Sequence, residues 1–387
     1  MSKSVSVRDF GAVGDGRRDD YQAFCAALSS GASEVLVPFG EYRISRTLFI
    51  SSHTHLKAER CARIVMGRDE RAARGDFLLS AVDGSEDITV SGGIWDGKNS
   101  APENAKPDLF DEKGYSGSVL NFVGVKGLTL RDLTVANSTT YYVRMCRVED
   151  FVIENIDFVS DEFGHNQDGL HFGGGVRRGR VKNVRALSAG QTNDDMIALN
   201  ADDSVERVEN FDLVRDDIED ITFDNIYAEN CYTIIRMLSV TAKIRNIKFK
   251  NIYAGYRHYA INGDGARYCK TPLFREEDMP LGVGLCENIE IENLVCYPVG
   301  VKADHPRCTA PEPYHGLRME VNFNNFVIKG FRMLPAVGCE EKTYALYMKN
   351  VVGSRILADG KEYKLLKKSD EALIESFSEL RIDTVKE

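Results

Sequence analysis

The stretches DITFDNIYAEN (220–230), NIKFKNIYAGY (246–256) and NIEIENLVCYP (288–298) share one pattern, in which apolar and polar residues alternate on both sides of a central Asn. The same phrase occurs five more times, as DITVSGGIWDG (87–97), GLTLRDLTVAN (127–137), DFVIENIDFVS (150–160), GRVKNVRALSA (179–189) and NFVIKGFRMLP (325–335). Alternation with period two predicts β-strands. The repetition predicts a structure built from similar units.

Each phrase has a Gly, Asn or Asp at its centre, and these residues tolerate the left-handed backbone angles of a sharp bend. The central residues are Gly92, Asp132, Asn155, Asn183, Asn225, Asn251, Asn293 and Gly330. The shorter spacings between them are 23, 26 and 28 residues, which is room for only two short strands. Such a unit cannot bury its apolar face alone, so neighbouring units must stack. Stacked Asn side chains can also hydrogen-bond along a ladder.

These features predict an all-β fold, a single-stranded right-handed parallel β-helix (solenoid) with an N-terminal capping helix. A β-propeller is excluded because its blades need about 40–50 residues each, and a β-sandwich would not repeat one phrase. We expect a single domain over residues 1–387. It is divided into an N-terminal strand and capping helix (1–35), the coils (36–350) and a C-terminal cap (351–387).

Two amphipathic segments are predicted to form the helical ends of the solenoid. Segment 18–30 has apolar residues at helical spacing, with Asp19 or Asp20 as the N-cap. Segment 369–380 is the second predicted helix, with Ser369 as its N-cap. Loops without the repeated phrase lie at 97–118, 201–218, 262–284 and 300–322.

Composition excludes several classes of function. The net charge of −10 argues against a protein that binds nucleic acid or anionic membranes. No run of 18 apolar residues is present, and the N-terminus has no apolar stretch typical of a secretory signal. The nine Cys are scattered without a CxxC motif, so we expect no disulfide framework or zinc site. Together these features predict a cytoplasmic protein, unless a leader has been removed from the chain; the oligomeric state is not predicted.

Two acidic clusters fall on successive repeats. Asp168 and the pair Asp194 and Asp195 are separated by 26 residues, which is one coil. Adjacent strands lie about 4.8 Å apart, so the three carboxylates are expected to converge on one sheet face. Crowding then raises the pKa of at least one of them. A protonated and an ionised carboxyl beside one sugar bond is the arrangement that glycoside hydrolysis requires. Asp202 and Asp203, further on, line this site, bind a cation or cap a loop.

Several motifs resemble those of one enzyme group. VRDFGAVGDGRRDDYQAFCAAL (7–28) resembles the opening of the pectate-lyase-type β-helix superfamily, which includes glycoside hydrolase family 28 and the polygalacturonases. The other matching segments are GGIWDGKNS (92–100), NQDG (166–169), NDDMIAL (193–199) and IIRMLS (234–239). The resemblance covers roughly residues 5–255 and implies the same fold and an inverting hydrolase.

The resemblance also implies roles for individual residues. Asp194 would protonate the leaving oxygen, while Asp168 and Asp195 would hold and deprotonate the attacking water. Arg236 would bind a carboxylate or hydroxyl of the substrate, since a guanidinium fork suits a uronate. Further predicted substrate-binding residues are His171, His165, Asn166, Asn193 and Tyr259. No metal and no cofactor is expected, and the expected partner is an oligosaccharide or polysaccharide.

The sequence departs from the family pattern at two places. The family's Gly-His-Gly is absent, and NADDSVERVENFDLVRDD (200–217) stands in that coil. The Lys of the family's Arg-x-Lys is Leu238 here, which weakens the case for polygalacturonate as substrate. One hypothesis is that His165 or His171 replaces the lost His; the alternative is a structural or surface role.

Three functions follow from these patterns. The first is hydrolysis of an α-linked bond in uronic-acid-containing or pectin-type oligosaccharides, with exo attack expected from the long loops. The second is a Ca²⁺-dependent lyase or epimerase, in which the three Asp would ligate the ion and Arg236 would abstract the proton. The third is a non-catalytic carbohydrate-binding or phage tailspike-like β-helix.

Overall fold

The computed structural model describes residues 4–67, 77–98, 118–161, 163–164, 166–203, 210, 212–267, 269, 272–300, 315–337 and 343–384. These residues form 25 β-strands, one α-helix and two short 3-10 helices, Val7–Phe10 and Glu276–Asp278. The α-helix, α1, spans Tyr21–Leu28. No helix among the described residues is long and apolar enough to cross a lipid bilayer. The predicted all-β class is confirmed.

The strands are numbered in chain order. The first thirteen are β1 Ser4–Ser6, β2 Asp15–Asp19, β3 Glu34–Val37, β4 Glu41–Ile44, β5 Leu48–Ile50, β6 His55–Ala58, β7 Arg63–Met66, β8 Leu79–Ala81, β9 Glu86–Ser91, β10 Ile94–Asp96, β11 Leu120–Ala136, β12 Val143–Val159 and β13 Leu170–Phe172. The remainder are β14 Arg177–Ala186, β15 Asp195–Asn200, β16 Ile218–Leu238, β17 Lys243–Asp264, β18 Val283–Pro298, β19 Leu317–Met319, β20 Val321–Met333, β21 Leu346–Met348, β22 Ser354–Ala358, β23 Lys361–Leu365, β24 Ala372–Ile374 and β25 Glu379–Thr384.

Successive repeats stack through parallel pairing. Strands β12, β14, β16, β17, β18 and β20 pair in that order, each with the next. One apolar position of the phrase therefore recurs in register from coil to coil and is buried in the core. Its occupants are Ile153, Val181, Phe223, Phe249, Ile291 and Ile328. The repeated phrase is the unit that builds the core, as the alternation predicted.

The bends within the longer strands carry the predicted Asn ladder. Asn225 donates its side-chain N–H to Asn183, Asn183 to Asn155, and Asn155 to Asp132, each at 2.8 Å. These residues have φ between 54° and 60°, the left-handed region that Asn and Asp tolerate. The ladder ties the bends of consecutive coils to one another.

Helix α1 is shorter than the predicted 18–30 and packs against the first coils. Phe24 and Leu28 are buried, as their helical spacing indicates. Asp19 accepts a hydrogen bond from the backbone N–H of Tyr21 at 3.1 Å. Asp20 instead accepts the backbone N–H groups of the loop before the helix. The predicted N-terminal helix is confirmed, with Asp19 supporting its first turn.

The predicted C-terminal helix over 369–380 is wrong. This part of the chain contains strand β24 and the start of β25, with turns between them. Strand β24 pairs antiparallel with β21, and β25 pairs antiparallel with β20 and β22. The last coil ends in open strand edges whose backbone groups need partners, and pairing there outweighs the helical spacing of a short segment.

Candidate active site

Two adjacent coils bring the three aspartates together. Leu170 in β13 pairs in register with Ile197 in β15, which gives Asp168 and Asp195 equivalent positions on neighbouring coils. One carboxylate oxygen from each of Asp168, Asp194 and Asp195 lies within 4.8 Å of the others. The sequence predicted this convergence, and the structure shows it.

The three carboxyl groups differ in exposure and charge. Asp168 and Asp195 are 3% and 2% exposed, whereas Asp194 is partly exposed. Burial raises the pKa of Asp194 to about 7, and the negative charge of Asp168 adds to this effect. Burial is the main effect that raises the pKa of Asp195 well above its usual value, and the negative charges of Asp194 and Asp168 add to it. The cluster therefore retains a proton near neutral pH, which acid–base chemistry requires.

Hydrogen bonds distinguish Asp168 from Asp195. Asp168 Oδ2 lies 2.5 Å from His171 Nδ1, and Asp168 Oδ1 accepts the backbone N–H of Asp195 at 3.2 Å. By contrast, Oδ2 of Asp195 is buried and has no hydrogen-bond partner among the residues that the structure describes. Asp168 is held in place by its neighbours, while Asp195 keeps an oxygen that can accept a hydrogen bond from a ligand or water.

His171 lies between two carboxylates. Its Nε2 faces Asp203 at 3.0 Å, its ring stacks on Tyr141 with centroids 3.8 Å apart, and the side chain is 1% exposed. Burial alone lowers the pKa of His171, but the contacts with Asp168 and Asp203 outweigh it, so the pKa is raised. His171 is therefore held between Asp168 and Asp203, and its Nδ1 contacts the Asp168 carboxyl group. Its predicted contact with substrate stays a prediction.

The two acidic residues beyond the pair have separate places. Asp202 caps a turn, because its carboxylate accepts the backbone N–H groups of Val240, Thr241 and Ala242 at 2.6–2.9 Å. Asp203 belongs to the site through its contact with His171. The sequence left these roles open for each residue. The contacts in the structure assign the cap to Asp202 and the place in the site to Asp203.

Arg236 lies beside the aspartates on the next coil. Its Nη1 is 3.6 Å from Asp195 Oδ2, and its Nη2 is 3.0 Å from Asp264 Oδ2. The guanidinium is 16% exposed, so part of it remains open to a ligand. Sequence reasoning missed Asp264, which anchors this Arg; the NGDG segment (262–265) at the end of β17 was the available signal.

Asn193 and Asn166 lie in the turns that carry the aspartates. The Asn193 amide donates to the backbone oxygen of Gly164 and accepts from Arg257, both at 2.8 Å, so it holds the turn. Asn166 is partly exposed and has φ of 48°. His165 lies outside the described residues. Direct substrate contact by these three residues stays a prediction.

Tyr259 lies two coils beyond Asp195. Asp195 pairs in register with Thr233, and Thr233 pairs with Tyr259. The ring is buried beneath the guanidinium of Arg318, whose carbon is 5.5 Å from the ring centroid, and burial raises the pKa of its hydroxyl to about 12. Its substrate contact also stays a prediction.

The carboxylate cluster fits a divalent cation only in part. Carboxylate oxygens are the donors that Ca²⁺ prefers, but that ion takes about 6–8 oxygen ligands. The cluster offers one oxygen from each of three residues within 4.8 Å. The guanidinium of Arg236 already places positive charge 3.6 Å from Asp195. This environment suits proton transfer better than a calcium site.

Comparison with known families assigns the chain to one protein family. The model of the family described as "Rhamnogalacturonase A/epimerase, pectate lyase-like" matches residues 4–257. The chain belongs to this family. It is a family-28-like protein of the pectate-lyase fold, and its three aspartates and Arg236 lie within the matched segment.

Members of several functional groups are similar in sequence. An exopolygalacturonase of Arabidopsis thaliana is 24% identical over 212 residues, which cover 51% of this chain and 45% of that protein. Plasmin and fibronectin-binding protein A of Streptococcus pneumoniae is 30% identical over 149 residues, or 33% of this chain. That match covers only 21% of the Streptococcus protein. The chain also matches pre-neck appendage proteins of Bacillus phages, and there the match covers only 11% of the phage protein.

Solved structures support the fold. The pre-mature gene product 12 of bacteriophage phi29 has a TM-score of 0.62 and 20% identity, covering 86% of this chain and 42% of that one. The family 28 exopolygalacturonase of Yersinia enterocolitica has a TM-score of 0.55 and 16% identity, covering 90% and 68%. At these identities the likeness establishes the fold alone.

Proposed function

We propose that this protein hydrolyses an α-linked glycosidic bond in uronic-acid-containing, pectin-type oligosaccharides. One observation carries the proposal: Asp194 is partly exposed with a pKa of about 7, and one oxygen from each of the buried carboxyl groups of Asp168 and Asp195 lies within 4.8 Å of its own. A proton donor and a base at one site are the minimum that glycoside hydrolysis requires. The Arabidopsis exopolygalacturonase similarity supports the same class of substrate.

The roles follow from exposure and hydrogen bonding. Asp194, which is partly exposed and retains a proton near neutral pH, donates that proton to the leaving oxygen. Asp168 is held beside Asp194 by His171 and by the backbone N–H of Asp195. Asp168 therefore takes the proton of the attacking water, and Oδ2 of Asp195, which accepts no hydrogen bond within the described residues, orients that water.

His171 and Asp203 replace the family's missing Gly-His-Gly in this proposal. Asp203 faces one ring nitrogen of His171, so the other is presented to Asp168. The stacked ring of Tyr141 keeps the imidazole in that plane. His171 is therefore a positioning residue that holds the base. Arg236, anchored by Asp264, binds a carboxylate of the sugar.

Stereochemistry, attack mode and handedness are further parts of the proposal. The carboxylate oxygens lie within 4.8 Å, closer than the ~6.5–9.5 Å usual for inverting enzymes, so the proposed inversion rests on family membership. Exo attack rests on the loops at 97–118, 262–284 and 300–322, much of which lies outside the described residues. The coil is proposed to be right-handed, because about 98% of parallel crossovers are.

The test is a screen of uronic-acid oligosaccharides with NMR detection of the products. Hydrolysis releases a saturated sugar whose first anomer reports inversion, and terminal monomers report exo attack. An unsaturated product would identify a lyase instead. No turnover of any uronic-acid oligosaccharide would contradict the proposal and favour a binding solenoid, as the similarity to phage appendage proteins would then suggest.

We expect a chelator to leave the activity unchanged. The residues at the cluster supply a proton and a guanidinium, and neither is removed by EDTA. Turnover is measured before and after dialysis against EDTA, with calcium added back as the control. Loss of turnover in EDTA with recovery in calcium would support the Ca²⁺-dependent alternative, in which Asp168, Asp194 and Asp195 ligate the ion.

We expect kcat/KM to fall as the pH rises through about 7. Asp194 must be protonated to act as the acid, and its pKa of about 7 means that the acid form is lost above that pH. The profile is recorded from about pH 5 to about pH 9 and compared with protein stability over the same range. A rate that stays flat through neutrality would contradict the role of Asp194.

A further inference from the structure

The turn before β15 decides where Asp194 lies. Strand β15 and its register with β16 begin at Asp195, so the sheet holds Asp195 directly, and Asp194 lies just outside the ladder. Residues 190–193, which lead to Asp194, are buried. Buried backbone oxygens outside a ladder need partners from elsewhere, because an unpaired one costs free energy. The position of the proposed acid therefore depends on the groups that bind this turn.

Arg257 binds the turn from Gly190 to Asn193. Its Nη2 donates to the backbone oxygens of Gly190 and Thr192, at 2.9 and 3.4 Å, and to Oδ1 of Asn193 at 2.8 Å. Arg257 is 4% exposed, so these contacts are shielded from solvent. Hydrogen bonds from an ionised donor are about twice as strong as those between neutral groups. One buried cation thus meets three oxygens of this turn.

Arg257 belongs to a different coil from the turn that it binds. It lies in β17, two residues before Tyr259, and Tyr259 is in register with Asp195 two coils back. The side chain therefore reaches past the coil of β16. Catalytic groups are held most precisely when rigid strands support them, and Arg257 gives the turn that support.

Asn193 continues the contact to the turn that precedes Asp168. Its Oδ1 accepts from Arg257, and its Nδ2 donates to the backbone oxygen of Gly164 at 2.8 Å. Gly164 lies four residues before Asp168 on the preceding coil. A chain of hydrogen bonds therefore runs from Arg257 through the turn of Asp194 to the turn of Asp168.

A second link joins the same two turns. Gln191 Nε2 donates at 3.3 Å to Oε1 of Gln167, the residue directly before Asp168. Gln191 Oε1 accepts the hydroxyl of Tyr142 at 3.0 Å, and all three of these side chains are buried. Buried polar networks rigidify a structure when their members are paired. The two turns are therefore held as one unit, which fixes the carboxyl group of Asp194 relative to that of Asp168.

We propose that Arg257 is a positioning residue for the acid, which fixes the turn of Asp194 against the turn of Asp168. The inference rests on the proposed function, since it assigns a further residue to the same reaction. A displacement of about 1 Å at a reacting group lowers turnover by up to about 100-fold. Release of the turn also moves Asp194 away from Asp168 and toward water. Both effects that raise the pKa of Asp194 then weaken.

The experiment measures the ionisation of Asp194 and turnover in the same variants. Aspartate labelled with ¹³C at Cγ is followed by NMR against pH, and the resonance of Asp194 is assigned from its absence in Asp194→Asn. Arg257→Met should move the pKa of Asp194 from about 7 toward its usual range. Near neutral pH, kcat should fall about 10- to 100-fold. KM should be unchanged, because Arg236 and its anchor Asp264 are intact.

Two further variants complete the comparison. Arg257→Lys keeps the positive charge but offers a single nitrogen on a shorter side chain, so it should give an intermediate pKa and kcat. It also covers the case in which Arg257→Met fails to fold. The matched control, Arg8→Met, removes an arginine that donates to a backbone oxygen elsewhere, that of Phe39 at 2.8 Å, and should change neither quantity.

The outcomes separate positioning from a purely structural role. A structural role alone lowers the melting temperature and leaves the pKa of Asp194 and kcat as they are, and that result would overturn the inference. A pKa of Asp194 that is unchanged or higher in both Arg257 variants would also overturn it. A lower pKa in these variants, with no turnover in the wild-type protein, would refute the hydrolase and leave the positioning of Asp194 by Arg257 standing.

Discussion

Replacing Asp194 with Asn is expected to lower turnover about 10²- to 10⁴-fold, the contribution usual for a positioned general acid. The amide keeps the size of the side chain but has no proton to give to the leaving oxygen. Substrate binding should be retained, because Arg236 and its anchor Asp264 are unchanged. The measurement is kcat and KM on the oligosaccharide that the screen identifies, and the loss should lie in kcat.

Two controls separate catalysis from folding. Asp161→Asn makes the same chemical change at an exposed residue and should leave turnover unaltered. Asp194→Asn should also raise the melting temperature above about pH 7. In the unfolded chain Asp194 ionises in its usual range, whereas in the fold it ionises only near 7, so stability falls as the pH rises from that usual range to about 7 and the full cost is present above it. Retained turnover in Asp194→Asn would remove this residue from the mechanism.

Phe223→Ala is expected to lower the free energy of unfolding by about 3–5 kcal/mol, the range for deleting a buried aromatic ring. Phe223 is buried in the apolar column of the core. Its ring stacks on Phe249 with centroids 4.5 Å apart and meets Phe172 edge-on at 5.8 Å. Because each coil is stabilised mainly by its neighbours, one cavity weakens two interfaces. Denaturant unfolding followed by circular dichroism measures the shift in midpoint.

Tyr253→Ala is the matched comparison. Tyr253 is also an aromatic residue in a stacked array, with Tyr227 at 6.2 Å, but it lies on the outer surface and is exposed. Its loss removes little buried area, so the expected effect is below about 1 kcal/mol. Equal shifts for the two variants would mean that the interior column is not what stabilises the stack.

The repeated phrase was sufficient to predict the stacked strands and their bends. Alternation, a central Asn and a spacing of 23 to 28 residues are local features, and all three favour short stacked strands with a bend between apolar positions. The C-terminal segment shows the limit of such reasoning. Its spacing favours a helix, but β24 and β25 form strands because the last coil presents unpaired edges. The need to pair these edges arises from residues elsewhere in the chain, so the segment's own sequence does not show it.

The sequence by itself determined that Asp168, Asp194 and Asp195 would meet, because residues one coil apart become neighbours in any parallel stack. It did not predict the contact of Asp203 with His171, the anchoring of Arg236 by Asp264, or the burial of the Arg144 guanidinium without a hydrogen bond to any described residue. Only the tertiary structure decided these, because they depend on where a loop folds back, on the exact register between strands, and on which polar groups become buried.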